Sequence, residues 1–279
     1  MLYRGMDRAA LDAAYNNLTA VADSDQYLTD WRERSAKLRA AHPQHLDLRY
    51  GPAERQRLDY FACGRPNAPT YVFIHGGYWL RNHKDGFAFV AEGPLAHGIN
   101  VALIGYTLAP QARLAEIVAQ TREGVRYIAA EMPTLGGDAA KIYLSGWSAG
   151  GHLTAMAMSE PSVAGGLAIS GIFDLEPIRL NYINDVLGLD EAEARQVSPI
   201  HHLPDRSKPL FITVGGAELP ELQRQSAEYW KAWEEKRLPG RFTPVAGRNH
   251  FSILEGLASP DGEIMKMVLD LVGSGTEKR

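Results

Sequence analysis

Three side chains spread along the chain could together carry out nucleophilic hydrolysis: Ser148, Glu218 and His250. Ser148 lies in Gly-Trp-Ser-Ala-Gly, residues 146–150, which fits the pattern G-x-S-x-G. A serine hydroxyl attacks a carbonyl well only when a base takes its proton, and the base needs a carboxylate that holds its tautomer. The order nucleophile, acid, base along the chain is the order expected when such a triad is built on an open α/β sheet.

The base and the acid are assigned by position. His250 lies in a loop between the last expected strand and a helix, the best-placed of nine histidines. Glu218 follows the strand PLFITV, where open parallel sheets gather functional groups. Two alternatives stay open. Glu218 could instead be a first-turn acid that favours a helix dipole. Asp174, which follows the preceding strand, is the alternative acid and could equally be a turn residue.

A second motif, FIHGGYWL at residues 73–80, supplies what the developing oxyanion would need. Two main-chain N–H groups commonly bind that oxygen, each being worth about 3 kcal/mol when aimed correctly. One is expected from Ala149, directly after the nucleophile. The other is expected from this loop, with Gly77 and Tyr78 as the expected donors, because glycine lets the backbone turn its amides inward without a Cβ penalty.

Aromatic residues flank both motifs and are candidates for the substrate pocket. Tyr78 and Trp79 follow the glycine pair, and Trp147 precedes the nucleophile. Such side chains would bind a flat ring by stacking and apolar burial. Trp79 could equally pack beneath the loop, and Trp147 could fill the core.

The elements that must position these residues alternate between strand and helix, which predicts one open, mostly parallel sheet covered on both faces, an α/β fold. HLDLRY and RLDYFAC alternate as an edge hairpin would. Uniformly apolar runs predict buried strands at 70–74, 100–106, 141–145, 163–170, 209–214 and 241–245. Helices are expected at 83–97, 112–131, 149–159, 219–237 and 259–272, the last beginning at Ser259 and Pro260.

We expect residues 1–279 to form one domain with two helical additions. Residues 1–42 form an N-terminal segment whose helical pattern covers 7–41, and its apolar side chains favour a cap over the sheet. Residues 172–206 depart from the alternation and predict a short helical insertion.

The composition excludes several classes of partner. The formal net charge is −4, and no run of Lys or Arg would follow a phosphate backbone or an anionic membrane. Cys63 is the single cysteine, so no intrachain disulfide or cysteine-based metal site is expected. With no signal-like segment or long apolar run, we expect a cytoplasmic protein that acts on a small molecule without a metal or other cofactor. Whether it forms a homodimer stays open.

HGGYW, GWSAGGHL, VGGAELPELQRQS and NHFSILEGL together resemble the kynurenine formamidase (arylformamidase) branch of the α/β-hydrolases, next to the hormone-sensitive-lipase-like esterases. The resemblance covers about residues 43–272. It implies an α/β-hydrolase fold with Ser148 as nucleophile, His250 as base and Glu218 as acid, and an oxyanion hole made by Gly77, Tyr78 and Ala149. Two features depart from the family pattern: the acid is more usually Asp, and Trp147 stands where the family often has a smaller or polar residue.

The expected activity is therefore hydrolysis of a small aryl formamide such as N-formylkynurenine, or a related amide or ester, through an acyl-serine intermediate. A carboxylesterase with another substrate is the alternative within enzymes. A non-catalytic ligand-binding protein on the same fold is the alternative of another class.

Overall fold

The computed structural model describes residues 1–274, so the last five residues of the expected domain, 275–279, lie outside the described residues. Eight strands form one sheet in the order β1-β2-β4-β3-β5-β6-β7-β8. β1 and β2 pair antiparallel and β2 pairs antiparallel with β4, whereas the remaining neighbours are all parallel. The strands are β1 Leu48–Arg49, β2 Arg57–Phe61, β3 Ala68–Ile74, β4 Asn100–Ile104, β5 Gly137–Trp147, β6 Val163–Ile169, β7 Leu210–Thr213 and β8 Gly240–Phe242.

Helices cover both faces of this sheet. The α-helices are α1 Arg8–Ala14, α2 Asn17–Ala20, α3 Ser24–Ala41, α4 Glu92–Ala96, α5 Leu114–Leu135, α6 Ala149–Ala157, α7 Glu176–Arg179, α8 Asn184–Leu187, α9 Glu191–Gln196, α10 Pro220–Glu235, α11 Glu255–Ala258 and α12 Glu263–Ser274. Short 3₁₀ helices span Lys84–Ala91, Pro199–His201 and Ser252–Leu254. The mostly parallel α/β architecture is thus confirmed. None of the helices within residues 1–274 is long and apolar enough to cross a membrane.

The alternation of side chains along the central strands creates two cores. In β3, Val72 and Ile74 join the cluster on one face, and Tyr71 and Phe73 join the cluster on the other. All four are buried, as expected for a strand with helices on both sides. Because β3, β5, β6 and β7 are parallel, their carboxyl ends lie at one edge of the sheet. The loops that carry the candidate residues begin at this edge.

One helix begins later than expected. Ser259 has extended backbone and ends α11, and its N–H donates to the Glu255 carbonyl. α12 then begins at Glu263 rather than at Ser259. The Ser-Pro pair therefore separates two helices instead of opening one.

The N-terminal helices pack over the loops at this edge. Trp31 of α3 stacks on Phe89 with ring centroids 5.0 Å apart and meets Trp147 edge-on at 5.6 Å. Its indole N–H donates to the Glu255 carboxylate at 2.6 Å, and Ser35 accepts a hydrogen bond from the Phe89 N–H at 3.0 Å. α3 is therefore held by both apolar and polar contacts.

Candidate active site

Ser148 lies on a sharp turn between β5 and α6. Its φ of 59° and ψ of −118° are unusual for a residue with a side chain, and such strain is typical of functional positions. Its N–H donates to the Ile169 carbonyl at 2.8 Å, which fixes the turn to the end of β6. A Cβ at Gly150 would collide with the Ile74 carbonyl, so the motif needs glycine there to let α6 approach β3. The serine is only 2% exposed.

Glu218 and His250 form a direct, buried pair. Nδ1 of His250 lies 2.6 Å from Oε2 of Glu218, and the side chains are 4% and 0% exposed. Because an ionised carboxylate only accepts hydrogen bonds, Nδ1 carries the proton and Nε2 keeps a free lone pair. α10 begins at Pro220, so Glu218 precedes the helix instead of lying in its first turn.

The second oxygen of Glu218 is held by partners that sequence reasoning missed. Oε1 accepts hydrogen bonds from Ser170 Oγ at 2.5 Å and from the Gly215 N–H at 2.7 Å. Ser170 directly follows β6, and this place at a strand end is the sequence feature that could have indicated its role. Hydroxyl residues are common in such loops, so the feature is a weak one. These donors fix the carboxylate so that its other oxygen faces His250.

Asp174 has different partners. Its carboxylate accepts hydrogen bonds from the Tyr3 hydroxyl at 3.3 Å and from the Glu176 N–H at 3.0 Å. These bonds form a local turn before α7 and attach the N-terminal segment, and they explain the residue without a catalytic role. The structure therefore places Glu218, and not Asp174, against His250.

The loop after β3 carries free N–H groups beside the serine. The N–H groups of Gly77 and Tyr78 donate no hydrogen bond within residues 1–274, and Ala149 is the first residue of α6, whose N–H has no intrahelical acceptor. Gly77 has a φ of +122°, and Tyr78 and Trp79 also have positive φ. Gly77, Tyr78 and Ser148 line one pocket of about 100 Å³.

His250, Trp147 and Phe251 form another wall of that pocket. The Trp147 indole N–H donates to the His250 carbonyl at 2.7 Å, and the two ring centroids are 4.8 Å apart. Trp147 therefore lines the pocket and also holds the loop that carries His250.

Trp79 is fully buried and is not among the residues that line the pocket. Its ring meets His152 edge-on at 4.9 Å, beneath the loop. Trp79 therefore packs under the loop and does not line the pocket, whereas Tyr78 and Trp147 do line it.

Two other histidines near the motifs are packed and neutral. Burial lowers the pKa of His75 to about 3 and that of His152 to about 4. A ring nitrogen of His75 lies 2.9 Å from the Gly76 carbonyl, and one of His152 lies 2.7 Å from the Val197 carbonyl. The His75 contact is therefore local to its own loop, whereas that of His152 joins α6 to Val197. Neither ring carries a charge at neutral pH.

One group of carboxylates has the spacing of a metal site. Oxygens of Asp47, Asp59 and Asp85 lie within 4.8 Å of one another. However, the buried Lys84 ammonium contacts all three at 2.6 to 2.8 Å, and Arg39 also pairs with each of them. The protein's own cations thus occupy the position that a metal would take, and the network joins α3 to the sheet edge.

Comparison with known proteins agrees with this geometry. The family model BD-FAE matches residues 61–164. A kynurenine formamidase from Danio rerio is 33% identical over 243 residues, 82% of each chain, and one from Salmo salar is 30% identical over 264 residues, 88% of each chain. A crystal structure from Silicibacter sp., provisionally named a thioesterase, superposes with a TM-score of 0.84 at 28% identity and covers 93% of this chain and 98% of that one. The chain therefore belongs to the kynurenine formamidase and esterase group of the α/β-hydrolases.

Proposed function

We propose that this protein is a serine hydrolase that cleaves a small aryl formamide of the N-formylkynurenine type. The observation that carries the proposal is the buried Glu218–His250 pair, whose histidine lines the same pocket as the strained Ser148. The choice of substrate is supported by the 33% sequence identity to a kynurenine formamidase, which extends over 82% of the chain.

The reaction has two steps. His250 Nε2 takes the Ser148 proton as Oγ attacks the formyl carbon, and the N–H groups of Gly77, Tyr78 and Ala149 bind the oxyanion. The C–N bond then breaks as His250 returns the proton to the departing aniline nitrogen. His250 then deprotonates a water that attacks the formyl-serine, and it returns that proton to Oγ as the ester C–O bond breaks, which releases formate and the free serine. Glu218 stabilises the imidazolium in both steps.

The small pocket is compatible with this substrate. Its volume of about 100 Å³ is below the roughly 300–1,000 Å³ of common ligand sites. A formyl group, the smallest acyl group, and part of a ring fit next to Ser148, and the rest of a substrate must lie at the pocket mouth. We further propose that the N-terminal segment acts as a cap there, since Asn17, Leu18 and Leu28 line the pocket.

The test compares kcat/KM for N-formylkynurenine with that for p-nitrophenyl acetate and other short acyl esters. We expect the formamide to be preferred, and Ser148→Ala to abolish both activities. A strong preference for esters would leave a carboxylesterase. No Ser148-dependent hydrolysis of any of these compounds would favour a ligand-binding protein.

A further inference from the structure

The two peptide groups that carry the free N–H groups beside Ser148 are held through their carbonyl oxygens. The Gly76 carbonyl and the Gly77 N–H belong to one peptide group, and the Gly77 carbonyl and the Tyr78 N–H belong to the next. Both peptide bonds are trans. A trans peptide group is planar, with its C=O and N–H pointing in opposite directions. The donors that bind each carbonyl therefore set the direction of the N–H at the other end of the same group.

The Gly77 carbonyl is held by the main chain of its own turn. It accepts hydrogen bonds from the N–H groups of Leu80 and Arg81 at 3.0 and 3.2 Å. The Tyr78 hydroxyl is bound as well, because it accepts a hydrogen bond from Nδ2 of Asn17 at 3.1 Å. The direction of the Tyr78 N–H is thus set by backbone hydrogen bonds, which a side-chain substitution does not remove.

The Gly76 carbonyl is held by two side chains instead. It lies 2.9 Å from Nδ1 of His75 and 3.0 Å from Nδ2 of Asn82. Because a carbonyl oxygen only accepts hydrogen bonds, His75 carries its proton on Nδ1. Two donors polarise the carbonyl, and a polarised peptide group is a stronger donor at its N–H. The Gly77 N–H is therefore both directed and strengthened by these two side chains.

The backbone of Asn82 is fixed separately from its side chain. Its φ of 76° lies in the left-handed region, which Asn tolerates better than most residues with a Cβ. Its main-chain carbonyl accepts a hydrogen bond from Nη2 of Arg55 at 2.6 Å. Its amide lies close to Gly77, since a Cβ on that glycine would be 2.8 Å from Asn82 Nδ2. The half-buried Asn82 also lines the Ser148 pocket.

We infer that Asn82 is a positioning residue for the oxyanion hole: its amide binds the Gly76 carbonyl and thereby directs the Gly77 N–H at the oxygen of the carbonyl under attack. The inference rests on the proposed attack by Ser148 and adds to it a side chain that acts through the main chain. Loss of a whole oxyanion donor lowers kcat by about 10²–10³. Because Asn82 supplies one of the two hydrogen bonds that hold this donor, its loss should lower kcat about tenfold.

Asn82→Gly removes the amide but keeps the left-handed backbone and the carbonyl that Arg55 binds. For p-nitrophenyl acetate and N-formylkynurenine, kcat should fall about tenfold while KM stays within about threefold of wild type, because the donor acts on the transition state. Asn67→Gly is the matched control, since Asn67 also has a positive φ, of 55°, but is exposed and lies outside the pocket. Neither parameter should change in this control, and thermal unfolding would show that both variants are folded.

Inhibition by 2,2,2-trifluoroacetophenone separates positioning from a change in the shape of the pocket. Ser148 Oγ adds to the ketone carbon as His250 takes the proton, and the negative oxygen of the adduct lies in the oxyanion hole. In Asn82→Gly the inhibition constant should rise by the factor by which kcat/KM falls. The inhibition constant of acetophenone, which forms no stable adduct, should not change. An equal rise for both ketones, together with a raised KM, would show that Asn82 only shapes the pocket.

The two substrates separate this inference from the proposed function. If the ester is hydrolysed but the formamide is not, and Asn82→Gly lowers kcat for the ester, the positioning role stands and the proposed substrate fails. If the formamide is hydrolysed and Asn82→Gly keeps kcat within about threefold of wild type, the positioning role fails and the proposed function stands. A wild-type protein that hydrolyses neither compound would overturn both.

Discussion

Replacing Glu218 with Gln tests the assignment of the acid. The change keeps the side-chain shape but removes the negative charge. It also replaces one of the two carboxylate oxygens with an NH₂ group, although both oxygens accept hydrogen bonds in the wild-type protein. Oε2 faces His250 Nδ1 at 2.6 Å, and Oε1 accepts from Ser170 and the Gly215 N–H. An NH₂ toward His250 would select the wrong imidazole tautomer, and an NH₂ toward Gly215 would oppose the Gly215 N–H and the Ser170 O–H, which both donate there.

The size of the effect follows from these bonds. A hydrogen bond to a charged group is worth about 1.5–3 kcal/mol, and a buried donor left without an acceptor costs about 1–3 kcal/mol more. The sum, about 2.5–6 kcal/mol, corresponds to a fall in kcat of roughly 10²–10⁴. Initial rates with N-formylkynurenine or p-nitrophenyl acetate would measure it, and thermal unfolding would show that the variant is folded.

Asp174→Asn is the matched control, because that carboxylate bonds to Tyr3 and to the main chain of Glu176. We expect its kcat to stay within about threefold of wild type, since no group that moves a proton is affected. A greater loss for Asp174→Asn than for Glu218→Gln would refute the assignment of the acid.

Three further outcomes follow from the geometry. Gly77→Ala should lower kcat/KM at least about 100-fold in steady-state assays, because the φ of +122° disfavours alanine and the new Cβ would lie 2.5 Å from a main-chain oxygen. Trp147→Phe removes the donor to the His250 carbonyl and should destabilise the fold by about 1–2 kcal/mol in urea unfolding, with a lower kcat. Burial keeps the pKa of His75 at about 3 and that of His152 at about 4. The unfolded chain therefore binds more protons below about pH 6.5, and the free energy of unfolding should fall between pH 7 and pH 5 by about 2 kcal/mol for each histidine.

Much of this arrangement could be predicted from the sequence, because local patterns determine it. The apolar runs identified six of the eight strands, β3 to β8, and the G-x-S-x-G motif between a strand and a helix located the turn at Ser148. Since parallel strands share one carboxyl edge, placing Glu218 and His250 after later strands already brought them near the same place.

What escaped prediction depends on contacts between distant segments. Ser170 and Asn17 carry no motif, and their partners lie 48 and 61 residues away along the chain. The position of Trp79 under its loop depends on positive φ angles that the amino-acid sequence does not reveal. The Ser259-Pro260 pair fits a helix start equally well as a break between helices, and only packing decided between them.

The central claim is that Ser148 is the nucleophile, and covalent labelling tests it most directly. The folded protein would be treated with an organophosphate, digested, and searched by mass spectrometry for the adduct. We expect one adduct per chain on the peptide that contains Ser148, strongly slowed in His250→Ala and absent in Ser148→Ala. An unlabelled Ser148 in folded, hydrolytically active protein would contradict the account.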